Sequence, residues 1–281
     1  MEREIKTDII TSTIKKICMD AAYFIPDEVQ QALKDAIKKE ESPVGKEVLA
    51  QLVKNNELAR EKQMPICQDT GTAVIFIELG QDVCLKGGYL YDAINEGVRQ
   101  GYTEGYLRKS ITIDPLNRKN TGDNTPAVIH TELVPGDKLK ITFIAKGGGS
   151  ENMGKLVMLP PSAGIAGVKK FVIDTIKTAG SNPCPPIIVG IGIGSTFDGV
   201  AVLAKRALLR PLGTANPDPY YAQLEKDLLT DINNTGIGPS GLGGRITALA
   251  VHIERASCHI TALPVAVNLN CHAARYKTIT I

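Results

Sequence analysis

Two hydrophobic periods take turns along this chain, and that alternation narrows its fold more than any other feature. Short runs dense in β-branched residues, TAVIFIEL (72–79), PAVIHTEL (126–133), KLKITFIA (138–145), IIVGIGIG (187–194), ITALAVHIE (246–254) and ALPVAVNL (262–269), have the length and makeup of strands. Between them lie longer stretches with helical spacing: DAINEGVRQGYTEGYLRK, SAGIAGVKKFVIDTIKTAG, STFDGVAVLAKRALLR and DPYYAQLEKDLLTDINN. The N-terminal part is helical throughout, with Ile5, Ile9, Ile10, Ile14, Ile17, Cys18 and Ala21 on one face, and Val29, Ala32, Leu33, Ala36 and Ile37 on another after Pro26-Asp27. The turn-like VPGDK between PAVIHTEL and KLKITFIA predicts a hairpin. No repeat, low-complexity tract or long linker interrupts the pattern. We therefore expect an α/β fold: one helix-rich domain over 1–281, with a mixed β-sheet flanked by helices and an N-terminal helical segment.

The balance of charge removes several classes of function. With 32 basic against 30 acidic side chains, a formal charge of +2 and both signs interspersed, the chain has no electrostatic footprint for nucleic acid or an anionic membrane. No apolar run approaches the roughly 20 residues of a spanning helix, and MEREIKTDII is no secretory leader, so a cytoplasmic location is expected. Trp is absent, which leaves a core of Ile, Leu, Val and Ala and no stacking platform for bases.

In a chain of this size in a reducing compartment, the six cysteines are thiols rather than disulfides. Cys18 lies on a helical face, Cys84 follows Val83 and Cys258 falls near a strand end; each is expected to be a small buried hydrophobe. The other three sit at breaks in regular structure: Cys67 before Gln68-Asp69, Cys184 between Pro183 and Pro185, and Cys271 before His272. The flanking prolines fix φ and stiffen the loop that carries Cys184. No local C-x-x-C knuckle exists, so only the tertiary fold could assemble these thiols into one site. Three thiolates could take zinc with His259 or His272 as a fourth ligand, or could hold three irons of a cubane cluster, or could be unrelated thiols. An iron left without a protein ligand would be a Lewis acid open to a hydroxy-carboxylate, and Gln68, Asp69 and His259 are groups able to orient it and move protons.

Two glycine-rich segments imitate nucleotide motifs. Gly149 to Lys155, GSENMGK, matches most of a phosphate loop, but Leu156 stands where a hydroxyl must reach magnesium. A turn, or a nest of N–H groups facing a carboxylate, fits it better. The run Gly190-Ile191-Gly192-Ile193-Gly194 lacks the third glycine of the dinucleotide pattern and the acidic residue about 20 positions on. Glycines that let a strand approach a helix closely are the simpler reading.

Taken together and in order, ICQDTGT, AKGGGSENMGK, NPCPPIIVGIGIG, GPSGLGGRITALAVHIE and LPVAVNLNCHAAR resemble the class I, iron–sulfur fumarate hydratases and their tartrate dehydratase relatives over nearly the whole chain. The likeness is greatest to the separate alpha subunit of the two-subunit type, whose partner supplies the domain that fused members carry themselves. The resemblance implies that Cys67, Cys184 and Cys271 ligate a [4Fe-4S] cluster whose fourth iron meets a small dicarboxylate substrate. It further implies that Gln68 and Asp69 contact the substrate, that His259 pairs with Asp69, that Arg108 binds the substrate carboxylate, and that the backbone of Gly147, Gly148 and Gly149 passes over it. His272 would be supporting or structural, whereas His130 and His252 alternate within strands as ordinary strand residues. The implied activity is reversible hydration of fumarate to L-malate in a hetero-oligomer with a separate beta subunit. Tartrate dehydration is the alternative within that class, and a nucleotide-binding protein built on GSENMGK is the alternative outside it.

Overall fold

The computed structural model describes residues 3–281; Met1 and Glu2, the first two positions of the domain expected over 1–281, lie outside the described residues. The elements follow in the order β1 (Arg3–Lys6), α1 (Thr7–Tyr23), α2 (Asp27–Lys39), α3 (Pro43–Lys62), β2 (Thr72–Gly80), β3 (Val83–Lys86), α4 (Leu90–Glu104), β4 (Val128–Val134), β5 (Leu139–Lys146), α5 (Gly148–Glu151), β6 (Lys155–Leu159), α6 (Gly164–Ala179), β7 (Ile187–Ser195), α7 (Phe197–Ala207), α8 (Pro219–Asn233), β8 (Ala248–Cys258), β9 (Leu263–Asn270) and β10 (Tyr276–Thr280). This is an α/β fold with mixed sheets and flanking helices. Among the described residues no helix is long and apolar enough to cross a membrane.

The described residues form two compact units, one of residues 3–26, 56–148 and 275–281, the other of residues 27–55 and 149–274. In the first, a four-stranded sheet runs in the order β10-β5-β2-β4. Ile75 and Ile77 of β2 and Ile141 and Phe143 of β5 meet Ile10, Ile14 and Ile17 of α1 and Ile94, Val98 and Tyr102 of α4 in its core. The expected hairpin does not form. β2 lies between β4 and β5, parallel to the first and antiparallel to the second. The reason is burial: TAVIFIEL is closed on both faces, whereas PAVIHTEL leaves most of its residues open to solvent, so the more apolar strand takes the centre. VPGDK instead crosses the end of β2, where Gly80 N–H bonds Lys138 O, Gln81 N–H bonds Val134 O and Asp82 N–H bonds Gly136 O. Two boundaries also move. Ile5 belongs to β1, paired in parallel with β3, and α4 stops at Glu104, because Gly105 is followed by Tyr106 at φ +52.

The second unit holds the sheet β6-β9-β7-β8. One face packs on α6 and α8 through Val172, Ile176, Leu224 and Leu228 against Val189, Ile191, Val265 and Val267. The other face receives α7 directly on the glycine run: a Cβ at Gly190 would stand 2.2 Å from Ala204 O, and one at Gly192 would stand 2.3 Å from Val200 O. Close helix–strand approach is therefore what these glycines serve.

Register fixes which loops share a sheet end. In the first sheet the starts of β2, β4 and β10 and the finish of β5 lie together, since Thr72 pairs with Lys146, Val74 with Val128 and Tyr276 with Ile144. In the second, the starts of β7 and β8 and the finish of β9 lie together, since Ile187 pairs with Ala248 and Ile188 with Asn270.

Candidate active site

The loop entering β2 is braced at both its carboxylate and its carbonyls. Asp69 turns its carboxylate onto two backbone donors, Gly71 N–H at 3.0 Å to Oδ1 and Gly148 N–H at 2.9 Å to Oδ2. The GSENMGK segment (149–155) begins one residue after this Gly148 donor. It cannot act as a phosphate loop, which must lead into a helix, because Lys155 and Leu156 open the strand β6. An ionised carboxylate offers about four acceptor positions, so Asp69 keeps some in reserve for a ligand.

The carbonyls of the same loop are held from beneath. Tyr102, fully buried on α4, donates to Thr70 O at 2.8 Å and Gly71 O at 3.2 Å; Asn124, also fully buried, donates to Gly71 O at 3.2 Å. The guanidinium Nη1 of Arg275, 1% exposed, donates to Asp69 O. Burial pushes the Tyr102 hydroxyl well above its ordinary range, so it stays a proton donor. Gly71 at φ +77 lies so close to β5 that a Cβ would stand 2.7 Å from the Ala145 carbonyl carbon. Sequence reasoning singled out none of Tyr102, Asn124 and Arg275; a charged residue in a motif gives no sign that it will be buried.

Arg108 does not lie on a helix. It is exposed in an irregular stretch after α4, and its carbonyl accepts the Thr70 hydroxyl at 2.8 Å, so its backbone is tied to the residue after Asp69. Gln68 is exposed, and its Oε1 accepts from the Cys67 thiol at 3.3 Å. Gly147 is buried, while Gly148 and Gly149 are exposed.

The cysteines divide by environment, though not wholly as expected. Cys18 is fully buried, and burial drives its thiol far above the usual range. Cys84 is half-buried in β3, and Cys258 is exposed at the end of β8, its thiol on Ala262 O at 3.3 Å. The expectation of burial fails for Cys258 because β8 runs past the core: its last residues, from Arg255 on, are all exposed. Of the other three, Cys67 and Cys271 are half-buried and Cys184 is exposed. Cys184 takes φ +55, an unusual conformation for a residue with a Cβ, and His272 N–H bonds its carbonyl at 3.4 Å, joining the Cys184 and Cys271 loops. Beside Cys271, Asn270 is 1% exposed with neither amide atom hydrogen-bonded. Cys67 belongs to the first unit, Cys184 and Cys271 to the second. Among the described residues no three His, Cys, Asp or Glu side chains form a group able to hold a metal ion.

His259 lies in the exposed turn between β8 and β9, at the opposite end of the second sheet from Cys184 and Cys271, because Ser195 pairs with Cys258 while Ile188 pairs with Asn270. The nine residues of β7 separate those ends by roughly 27 Å at about 3.3 Å per residue. That removes His259 as a fellow zinc ligand of those two thiols; His272 stays on their side. The Nδ1 of His259 receives the Thr261 N–H at 3.2 Å and faces the Thr261 hydroxyl at 2.8 Å, so the neutral ring carries its proton on Nε2. His252 is a buried strand residue facing Ala207 O, and His130 stacks on Phe76 at 4.8 Å, as ordinary strand residues do.

Residues 11–280 match the family described as fumarate hydratase (Fumerase). A Methanocaldococcus jannaschii protein, provisionally named L(+)-tartrate dehydratase subunit alpha, is 43% identical over 275 residues, covering 95% of each chain. The L(+)-tartrate dehydratase subunit alpha of Escherichia coli K12 is 36% identical over 260 residues, 92% of this chain and 86% of that one. The Shigella sonnei protein of the same name gives the same figures. With nearly its full length matched, this chain belongs to the fumarate hydratase (Fumerase) family.

Proposed function

We propose that the chain is the alpha subunit of an iron–sulfur hydro-lyase that dehydrates a small hydroxy-diacid, L(+)-tartrate ahead of malate, and that a separate beta subunit completes its site. The observation that carries this reading is the Asp69 carboxylate, clamped by two N–H groups one residue after Gln68 and two after Cys67. Tartrate takes precedence over the fumarate first expected because the relatives at 36–43% identity are named for tartrate and as alpha subunits. Fumarate and malate remain the second reading, supported by the family's description.

Cys67, Cys184 and Cys271 are the residues that would hold a [4Fe-4S] cluster. Their chemistry fits: three loop thiols open or half-open to solvent, with φ +55 fixing Cys184, and a buried, unpaired Asn270 amide beside Cys271 of the kind that signals a group missing from the polypeptide. Bound there, the cluster would supply Lewis acidity toward the hydroxyl that leaves as water. Asp69 takes the proton from the carbon next to the leaving hydroxyl and gives it up to the departing oxygen, so that water is the only by-product. Gln68 orients the substrate by hydrogen bonding, Arg108 pairs with a carboxylate, and the Gly147–Gly149 backbone covers it. No electron changes hands. His259, roughly 27 Å from Cys184 and Cys271 along its own sheet, is out of reach of a substrate held beside those thiols, and the proposal gives it no step.

The test is anaerobic purification with iron and sulfide analysis, then dehydration of L(+)-tartrate and malate by the chain with and without the beta partner. We expect about four irons and four sulfides per chain, by the stoichiometry of the cluster. Turnover should need the partner and should favour tartrate. A preference for malate would return the reading to fumarate, and a chain free of iron and sulfide would end it.

A further inference from the structure

We infer that Glu40 is a positioning residue for the Cys184 loop, acting through the glycine-rich segment 238–246. This extends the reading in which Cys184 is a ligand. Glu40 follows α2 and is 2% exposed, yet it makes no ion pair with a lysine or arginine side chain among the described contacts of its carboxylate. Four backbone N–H groups converge on it instead. Glu41 and Ser42 donate to Oε1 at 2.8 Å each, Arg245 to Oε1 at 2.8 Å and Oε2 at 3.0 Å, and Ile246 to Oε2 at 2.7 Å. Burial alone would raise its pKa, but the four donors outweigh it and hold the carboxyl below its ordinary value.

A buried carboxylate is costly, and this one adds to the few bonds the loop makes within itself, Gly241 N–H to Gly238 O, Leu242 N–H to Pro239 O and Gly243 N–H to Ile237 O. The segment from Gly238 to Gly244 has positive φ at Gly238, Ser240, Gly241, Gly243 and Gly244, so it has no regular ladder to hold it. Its two ends are fixed by Gly238 N–H on the Thr247 hydroxyl at 3.0 Å and by Glu40 on Arg245 and Ile246. A carboxylate also accounts for Gly244, where a Cβ would stand 2.6 Å from Glu40 Oε1. Held in this way, the segment lies directly on the Cys184 loop. Ser240 N–H bonds Pro185 O at 2.8 Å, and a Cβ at Gly241 would come within 2.3 Å of Ser181 Cβ. From Pro185 the chain continues to Cys184, whose carbonyl receives His272 N–H. The carboxylate thus reaches both thiol-bearing loops of its unit through backbone hydrogen bonds, without touching either sulfur.

Glu40→Gln tests this. An amide nitrogen in place of one oxygen would face backbone N–H groups donor to donor. In the iron-free chain, we expect the amides of Ser240, Ile246 and His272 to exchange with deuterium about tenfold faster or more, while Gly71 and Gly148 of the first unit exchange as in wild type. After anaerobic reconstitution, iron should pass to a chelator about tenfold faster than from wild type, at an unchanged denaturation midpoint of the first unit. Wild-type exchange at Ser240 and His272 in a folded variant would overturn the inference. Should the variant fail to fold, exchange in the wild-type chain decides: after correction for intrinsic rates, Ser240 and Ile246 should open together within about threefold, and a Ser240 opening oftener than that would overturn it. A wild-type chain that takes up no iron would defeat the cluster reading and leave the exchange comparison intact.

Discussion

The two four-stranded sheets share one arrangement of strand senses, antiparallel, antiparallel and then parallel from edge to edge, yet they brace their polar loops by different means. In the first, side chains do the holding: Tyr102, Asn124 and Arg275 rise from buried positions to the carbonyls of Asp69, Thr70 and Gly71. In the second, backbone meets backbone, at Ser240 to Pro185 and at His272 to Cys184, and the stiffness comes from prolines, from positive φ and from one carboxylate. The loop that carries Asp69 is set by specific donors beneath it. The loops that carry Cys184 and Cys271 are set by restricting the chain itself.

The largest effect that would sharpen this contrast is all-or-none. Changing Cys67, Cys184 or Cys271 to Ser should abolish iron and sulfide retention, whereas Cys18→Ser, Cys84→Ser and Cys258→Ser should keep both; retention in the first group would undo the sorting of the thiols. Next, Asp69→Asn should keep the iron and lower turnover by about 10² or more, the loss expected of a proton-transfer group. His259→Asn, at the far end of its sheet from Cys184 and Cys271, should keep both iron and turnover, and a loss of turnover like that of Asp69→Asn would bring it back into the reaction.

A smaller effect concerns stability as a function of pH. Burial, reinforced by the Arg210 charge, lowers the pKa of His252 to about 4. The unfolded chain therefore binds a proton that the folded chain refuses between about pH 6.5 and 4. The contribution of the neutral ring is fully present above about 6.5 and is lost as pH falls toward 4, on the order of 3 kcal/mol in all. Denaturant titrations of wild type and His252→Gln across that range should show the variant with the flatter profile. Least of all, Tyr102→Phe leaves the Thr70 and Gly71 carbonyls short of a donor and should cost about 1–3 kcal/mol of stability, with turnover falling more than iron content. Equal losses in Asp69 function and iron retention would erase the distinction between the two ways of bracing.

Much of the scaffold was legible in the chain. The strand runs appear where their β-branched residues stand, and the glycines of IIVGIGIG serve helix packing. The hairpin was misread because adjacency in sequence favours β4 with β5, whereas burial on both faces favours β2 for the centre, and only the second term reflects the whole molecule. Around the candidate site, Cys67, Asp69 and Cys184 announce themselves by unusual company in a loop. Arg275, Asn124 and Glu40 do not, since charged and amide side chains are ordinarily solvated and nothing local marks the few that fold inward. Cys258 failed for the opposite reason, a strand that outruns its core.

The central place of β2 also bears on how the chain reaches its native state. While β2 is out of position, the neighbouring segments 128–134 and 139–146 are free to zip together locally across VPGDK, a fast event that leads away from the final topology. Wherever that pairing forms, it has to open before β2 can take its place between the two segments. Refolding of the first unit should accordingly be slow for its size and prone to association at low denaturant, a burden on synthesis that a simple meander of the same strands would escape.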